Sequence, residues 1–228
     1  MEVGAGLGSL TLALAGTGAE VVAVEVDRRL IPALAEAVAE RENARIVQAD
    51  AVTVDWATLL KGPGPWKMVA NLPYNVAVPV VMRALEVEPR IARLVIMVQR
   101  EVGERLASPP RGPQYGAVSL RVAYQAEARV IRRVPRTVFW PQPTVDSVLV
   151  SMIRRPPPVD VDQSTLWRVV KEAFTQRRKT IRGAMIRLGL SPPQAAAALA
   201  RCGIQPSSRP EELGLAEFAC LAMELDPG

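Results

Sequence analysis

Three strand-like segments of this chain end in residues able to bind or activate a ligand, and a fourth ends in an amide. Met1-Glu2-Val3-Gly4-Ala5-Gly6-Leu7-Gly8 reads as the tail of a buried strand turning through glycines into a helix that runs to Ala15. Such glycines let a backbone approach a ligand closely and reach angles denied to other residues. The spacing is Gly-x-Gly-x-Gly, unlike the Gly-x-Gly-x-x-Gly that cradles a pyrophosphate, so a dinucleotide is disfavoured. Glu25 closes a valine-rich strand at about the separation expected for a carboxylate that accepts from ribose hydroxyls. Asp50 follows the short strand Ala44 to Gln48. Asn71-Leu72-Pro73-Tyr74-Asn75 follows Met68-Val69-Ala70 and, apart from Asn43, holds every asparagine in the 228 residues. Alone, that pentapeptide is an ordinary turn, with proline presetting φ and Asn75 capping.

Ligands of open α/β sheets lie beyond the carboxyl ends of the strands, so parallel neighbours would bring Gly4 to Gly8, Glu25, Asp50 and Asn71 to one crevice. The chemistry is restricted by what is missing. There is no histidine, which excludes histidine-based triads and histidine-ligated metals within this sequence. Carboxylates, amides, backbone or a cofactor must serve instead. Cys202 and Cys220 lie in apolar, helix-like surroundings and are expected as buried thiols, with no disulfide and no metal site.

Charge is uneven. Met1 to Ala70 carries 6 basic and 9 acidic residues and Asn71 to Val159 carries 13 and 6. An acidic first third followed by basic surface suits a polyanion, most simply nucleic acid. No apolar run reaches the roughly 18 residues of a membrane span, and the start lacks the pattern of a secretory signal, so a cytoplasmic protein without membrane contact is expected.

The elements that must position these residues alternate between strand and helix. Helices are expected over Leu30 to Arg41, Trp56 to Leu60, Val78 to Glu86 and Arg100 to Leu106, and strands over Lys67 to Ala70 and Ala92 to Val98. Ser108 to Gln114 is a proline- and glycine-rich loop before a helix or strand at Val118 to Tyr124. Ala128 to Val134 and Ser147 to Ile153 read as two strands joined by Pro135 to Asp146. This rhythm predicts an α/β fold with a parallel sheet covered on both faces. Pro156-Pro157-Pro158 stiffens a linker, giving domains 1–158 and 159–228. The second reads as all-helical: Val170, Phe174, Ile181, Met185 and Leu188 recur on one face from Arg168 to Leu188, leaving Lys171, Arg178 and Arg182 on another. Two shorter helices are expected at Pro192 to Arg201 and Leu213 to Met223.

Taken together, Glu2-Val-Gly-Ala-Gly-Leu-Gly8, Glu25, Gln48-Ala-Asp50, Asn71-Leu-Pro-Tyr-Asn75, Phe139-Trp-Pro-Gln-Pro-Thr-Val-Asp-Ser147 and Phe174-Thr-Gln-Arg-Arg-Lys-Thr-Ile-Arg182 resemble the ribosomal RNA adenine dimethyltransferases over nearly the whole chain. The last run favours the bacterial small-subunit branch, which acts on two adjacent adenines near the 3′ end of 16S rRNA. The resemblance implies a Rossmann-like methyltransferase sheet with a small C-terminal helical domain. It also implies S-adenosylmethionine as cofactor and the 16S rRNA of the immature small subunit as partner, with the chain expected to be a monomer. Glu2, Gly4, Gly6, Gly8, Glu25, Val26, Asp50, Ala51 and Asn71 would contact the cofactor, with Glu25 on its ribose and Asp50 on its adenine. Asn71, Leu72, Pro73, Tyr74 and Phe139 would form the acceptor site. Lys171, Arg177, Arg178, Lys179 and Arg182 would contact RNA. Family members carry a further segment, with a Gln-Asn-Phe-Leu-like motif, before the glycine loop, whereas Met1 here falls inside the first strand. A weaker core and cofactor site are therefore expected. Three other readings compete: a 23S rRNA adenine methylase of the macrolide-resistance type, a DNA adenine methyltransferase with an Asn-Pro-Pro-Tyr turn, and an assembly factor acting by binding alone.

Overall fold

The computed structural model describes residues 1–73, 75–176 and 179–225. They form two compact units, one of residues 1–103 and 127–154, the other of residues 104–126 and 155–225.

In the first unit, β1 (Glu2–Val3), β2 (Val21–Glu25) and β3 (Ala44–Gln48) are parallel, in the order β1-β2-β3. A second sheet holds β4 (Trp66–Asn71), β5 (Ile91–Gln99), β6 (Ala126–Val134) and β7 (Ser147–Arg154) in the order β4-β5-β7-β6, with β4 and β5 parallel and β7 antiparallel to β5. The sheets meet at Met1, whose amine donates to the Lys67 carbonyl and whose carbonyl accepts from the Val69 N–H, both at 2.9 Å. Across that junction the strands run 3-2-1-4-5-7-6. Chain order therefore reverses between β1 and β4, and such a switch point opens a crevice at the carboxyl ends of the strands.

The valine-rich β2 is buried throughout because sheet neighbours and helices cover both its faces. Helix α1 (Ser9–Ala15) packs against β2, α2 (Ile31–Ala37) against β3 and α4 (Ala77–Glu86) against β5, with the short α3 (Trp56–Leu59) between β3 and β4 in the chain. Leu34 of α2 joins Ala5, Ala23 and Val38 in one apolar cluster. The carboxyl end of α4 is closed by Arg154, whose guanidinium donates to the carbonyls of Ala84 and Leu85 at 2.8 Å, Ile91 at 2.9 Å and Glu88 at 3.1 Å. A cation on the last carbonyls of a helix satisfies orphan acceptors and complements the helix dipole. The helix that opens just after the Asn71 turn is thus anchored at its far end.

The second unit is wider than the expected 159–228. It takes in residues 104–126, a stretch that includes the end of α5 (Arg100–Leu106) and α6 (Ala117–Gln125). The cause is apolar packing, since Tyr115, Leu120 and Tyr124 share a core with Leu166, Val169 and Phe218. The Tyr115 hydroxyl donates to the Leu213 carbonyl at 2.7 Å. The single helical stretch expected from Arg168 to Leu188 is instead two helices, α7 (Gln163–Thr175) and α8 (Ile181–Arg187). The Ile181 N–H is committed to the Ser208 carbonyl at 2.9 Å, so the helical ladder does not run through it. α9 (Pro192–Arg201), opened by a reciprocal cap between Ser191 and Gln194, and α10 (Leu215–Leu225) complete the unit.

Cys202 and Cys220 are joined in a disulfide with their Cα atoms 5.7 Å apart, which corrects the expectation of two thiols. Cys202 sits at the carboxyl cap of α9 and Cys220 inside α10, so packing of the two helices brings the sulfurs together. Among the described residues, no helix is long and apolar enough to cross a membrane, and no cluster of side chains could hold a metal ion.

Candidate active site

The glycine loop leaves β1 with Gly4, Gly6 and Gly8 all at positive φ, at 75°, 59° and 88°. L-side chains rarely adopt such angles, which accounts for glycine at every second position. A Cβ on Gly4 would come within 3.4 Å of Pro73 Cδ and 3.6 Å of the Asn71 carbonyl. The loop after β1 and the turn after β4 therefore touch at the switch point. On Gly8 a Cβ would meet Leu34 Cδ1 at 2.8 Å, whereas on Gly6 it would meet nothing within 4 Å. Gly8 is tightly packed, and Gly6 faces open space where a ligand can rest against the backbone.

Glu25 is held rigidly at the end of β2. Its Oε1 accepts from the N–H groups of Val26 at 2.8 Å and Asp27 at 2.9 Å, and its Oε2 accepts from the Gly6 N–H at 2.8 Å. A carboxylate offers about four acceptor positions, so Oε2 keeps one for a hydroxyl. Val26 beside it is exposed. The Ala49 N–H donates to the Glu25 carbonyl at 3.0 Å, which sets Asp50 next to the end of β2. Asp50 is exposed, with Oδ1 accepting from the Val52 N–H at 2.8 Å. Ala51 is buried, its carbonyl accepting from Trp56 Nε1 at 2.8 Å.

Glu2 is only 1% exposed and accepts from the Thr11 hydroxyl at 2.6 Å, a partner that nothing in the sequence singled out. Burial raises its carboxyl above the ordinary range, with the Thr11 bond pulling the other way. A raised pKa in the folded state means that its stabilising effect is full below the unfolded value and lost as pH rises through the folded one. Glu2→Gln removes that titration and leaves an oxygen for Thr11. The stability of the variant relative to the unaltered chain should thus rise from about pH 4.5 to pH 7.5. Urea melts at both pH values measure this, and a difference that falls or stays constant would refute it.

At the carboxyl end of β4, the Leu72 N–H donates to the Met97 carbonyl of β5 at 3.1 Å and the Val76 N–H to the Pro73 carbonyl at 3.2 Å. The Leu72 side chain is buried while Asn71 and Pro73 are exposed, so the turn is pinned from below and presents its polar groups outward. Asn71, Leu72, Pro73 and the half-buried Phe139 line one cleft of about 440 Å³. Tyr74 lies outside the described residues. A larger cavity, about 590 Å³, opens at the opposite end of the strands beside Met1, Val21 and Trp66 and includes none of the expected site residues.

The basic residues expected to contact RNA belong to the second unit. Lys171 and Lys179 are exposed, and Arg182 is half-buried, with Nη2 donating to the Pro192 carbonyl at 3.4 Å. Arg177 and Arg178 lie outside the described residues. Glu172 is paired with Arg187.

A glycine loop, two strand-end carboxylates and an amide-bearing turn around the switch point of a 3-2-1-4-5-7-6 arrangement define a methyltransferase of the Rossmann-like α/β class. The chain belongs to the ribosomal RNA adenine dimethylase family, whose model matches residues 1–226. It is 44% identical to the ribosomal RNA small subunit methyltransferase A of Moorella thermoacetica, over 99% of this chain and 82% of that protein. It is 48% identical to the protein of that name from Thermobifida fusca, over 97% and 78%. Among solved structures, it resembles the 23S rRNA methyltransferase ErmE at 26% identity, with a TM-score of 0.72 over 99% of this chain and 89% of that one. A dimethyladenosine transferase from Plasmodium falciparum shares the fold at 20% identity, with a TM-score of 0.80 over 96% and 86%.

Proposed function

We propose that this chain transfers methyl groups from S-adenosylmethionine to N6 of two adjacent adenines near the 3′ end of 16S rRNA in the immature small ribosomal subunit, acting as a cytoplasmic monomer. The observation that carries this reading is the contact of the glycine loop with the Asn71-Leu72-Pro73 turn, which sets a donor-binding backbone against an acceptor-binding one. Family membership and the names of the relatives support the substrate class.

The residues fit the cofactor. The open side of Gly6 admits a ligand against the backbone, Oε2 of Glu25 suits a ribose hydroxyl, and the free oxygen of Asp50 suits an exocyclic amine. Glu2, Gly4, Gly8, Val26 and Ala51 shape the surroundings. When bound, S-adenosylmethionine supplies a methyl group already activated on a sulfonium.

The work of the chain lies on the acceptor. Adenine N6 is a poor nucleophile because its lone pair is delocalised into the ring. Asn71 Oδ1 and the Leu72 carbonyl accept its two hydrogens, which localises that pair on nitrogen and aims it at the methyl group. Pro73 stiffens the turn, and Tyr74 and Phe139 sandwich the extruded base. Alignment in this pose supplies much of the rate. The methylated amine is acidic enough to release its proton to solvent, so no histidine or metal is required. Lys171, Arg177, Arg178, Lys179 and Arg182 contact RNA phosphates from the helical domain, 159–228 with its added 104–126 segment.

Labelled methyl transfer tests the proposal, with under-methylated small-subunit particles, 23S rRNA and duplex DNA offered as alternative acceptors. Preference for the particles is expected. Preference for either alternative, or particle binding without transfer, would replace this reading with one of its competitors.

A further inference from the structure

Of the four tryptophans, three are built into the protein. Trp56 and Trp66 are buried, and Trp167 packs edge-on against Tyr124, with the Arg121 guanidinium 4.9 Å from its ring centre. Trp140 differs. It is 97% exposed, yet it lines the same cleft as Asn71 and Phe139.

The segment that carries it is held in place. After the 3₁₀ turn Arg136–Val138, the chain passes through Phe139 and Trp140 and returns to Asp146, whose Oδ1 accepts from the Arg136 N–H at 3.1 Å. Arg136 also donates through Nη1 to the Thr144 carbonyl at 2.9 Å. A large ring fully exposed at the rim of the cleft that holds Asn71 and Phe139 is placed where a ligand of that cleft would cover it and gain from its burial. The segment is fed by β6, the edge strand of its sheet, which exposes Arg129, Arg132 and Arg133. Aromatic rings interleaved with cations form the usual surface for unpaired nucleotides, the rings stacking on bases and the cations meeting phosphates.

We propose that Trp140 is a stacking platform for the nucleobase next to the target adenine, holding the neighbouring nucleotide while Asn71 and Phe139 engage the extruded base. The inference rests on the reading of the chain as an RNA adenine methyltransferase. It assigns Trp140 a role separate from that of Phe139: one ring fixes the flanking base and the other the reacting base. Of two adjacent target adenines, one has the other as the flanking base on the side of Trp140, and the second has the next nucleotide of the strand there.

Two measurements test it. The first is the fluorescence of the unaltered chain and of Trp140→Phe during titration with a short single-stranded RNA containing adjacent adenines. Quenching in the unaltered chain that is largely lost in Trp140→Phe is expected, whereas equal quenching in both, or none in either, overturns the proposal. The second is steady-state methyl transfer to under-methylated particles. Trp140→Ala should raise KM for the particles roughly 10-fold or more, with kcat and S-adenosylmethionine affinity within about 2-fold, and Trp140→Phe should restore most of the loss. An unchanged KM in Trp140→Ala overturns the stacking role while leaving the methyl-transfer reading intact. Failure of the unaltered chain to methylate any particle strikes at that reading instead, and the fluorescence still decides whether Trp140 meets a base.

Discussion

Asn71→Ala is expected to lower methyl transfer by about 10³-fold or more, the scale of losing one preorganised polar group aimed at the reacting atom. Binding of RNA particles should change by no more than a few-fold. The Asn71 side chain is exposed while its turn is pinned by the Leu72 bond to β5 and the buried Leu72 side chain, so folding should be altered by no more than about 0.5 kcal/mol. Single-turnover rates measured beside filter binding and a thermal melt separate these quantities. Retained activity would remove Asn71 from the mechanism. Loss of activity accompanied by loss of binding would make it a binding residue instead.

The largest effect on stability is expected from the Cys202–Cys220 disulfide. It closes a loop between residues 18 positions apart, and restricting the unfolded chain over that span is worth about 3 kcal/mol in the chain-entropy account. Cys202→Ala with Cys220→Ala should lower the melting temperature of the helical unit by roughly 12 to 24 °C. Reduction of the unaltered chain should do the same, and thiol titration before reduction should find no free cysteine. Equal melting in reduced and oxidised protein would show that the bridge does not constrain the fold. Methyl transfer measured in both states would also show whether the first unit depends on the bridge, which matters for a protein proposed to act in a compartment where disulfides are uncommon.

Most of the first unit was legible in its residues. Valine-rich strands are buried on both faces and so appear as unbroken apolar runs, and the features at their ends mark the carboxyl side of the sheet. The sequence alone therefore points Gly4, Glu25, Asp50 and Asn71 to one crevice. What could not be read there is how the groups engage one another. The Gly6 N–H on Glu25, Thr11 on Glu2, and Gly4 against Pro73 depend on loop geometry that leaves no periodic trace.

In the second unit, periodicity misled where a long-range bond intervened. Phe174, Ile181 and Met185 keep helical spacing across a break, because each of two successive helices turns an apolar face to the same core. The Ser208 carbonyl that ends this regularity lies 27 positions beyond Ile181. Residues 104–126, expected with the sheet, group with the helical unit, because Tyr115, Leu120 and Tyr124 suit a sheet-packing helix and a helical core equally well. The disulfide escaped notice because one pair of cysteines in helical surroundings reads no differently from two buried thiols. Trp140 belonged to a recognised motif, yet only its exposure beside Asn71 gives it a role apart from Phe139.

Under-methylated small-subunit particles incubated with this chain and S-adenosylmethionine, their rRNA cut to oligonucleotides by a base-specific ribonuclease and sequenced by mass spectrometry, should yield N6,N6-dimethyladenosine at two adjacent positions near the 3′ end of 16S rRNA, and none with Asn71→Ala. Particles that bind the chain and remain unmodified, or that gain methyl groups equally with Asn71→Ala, would contradict the assignment of the Asn71 turn as the acceptor site.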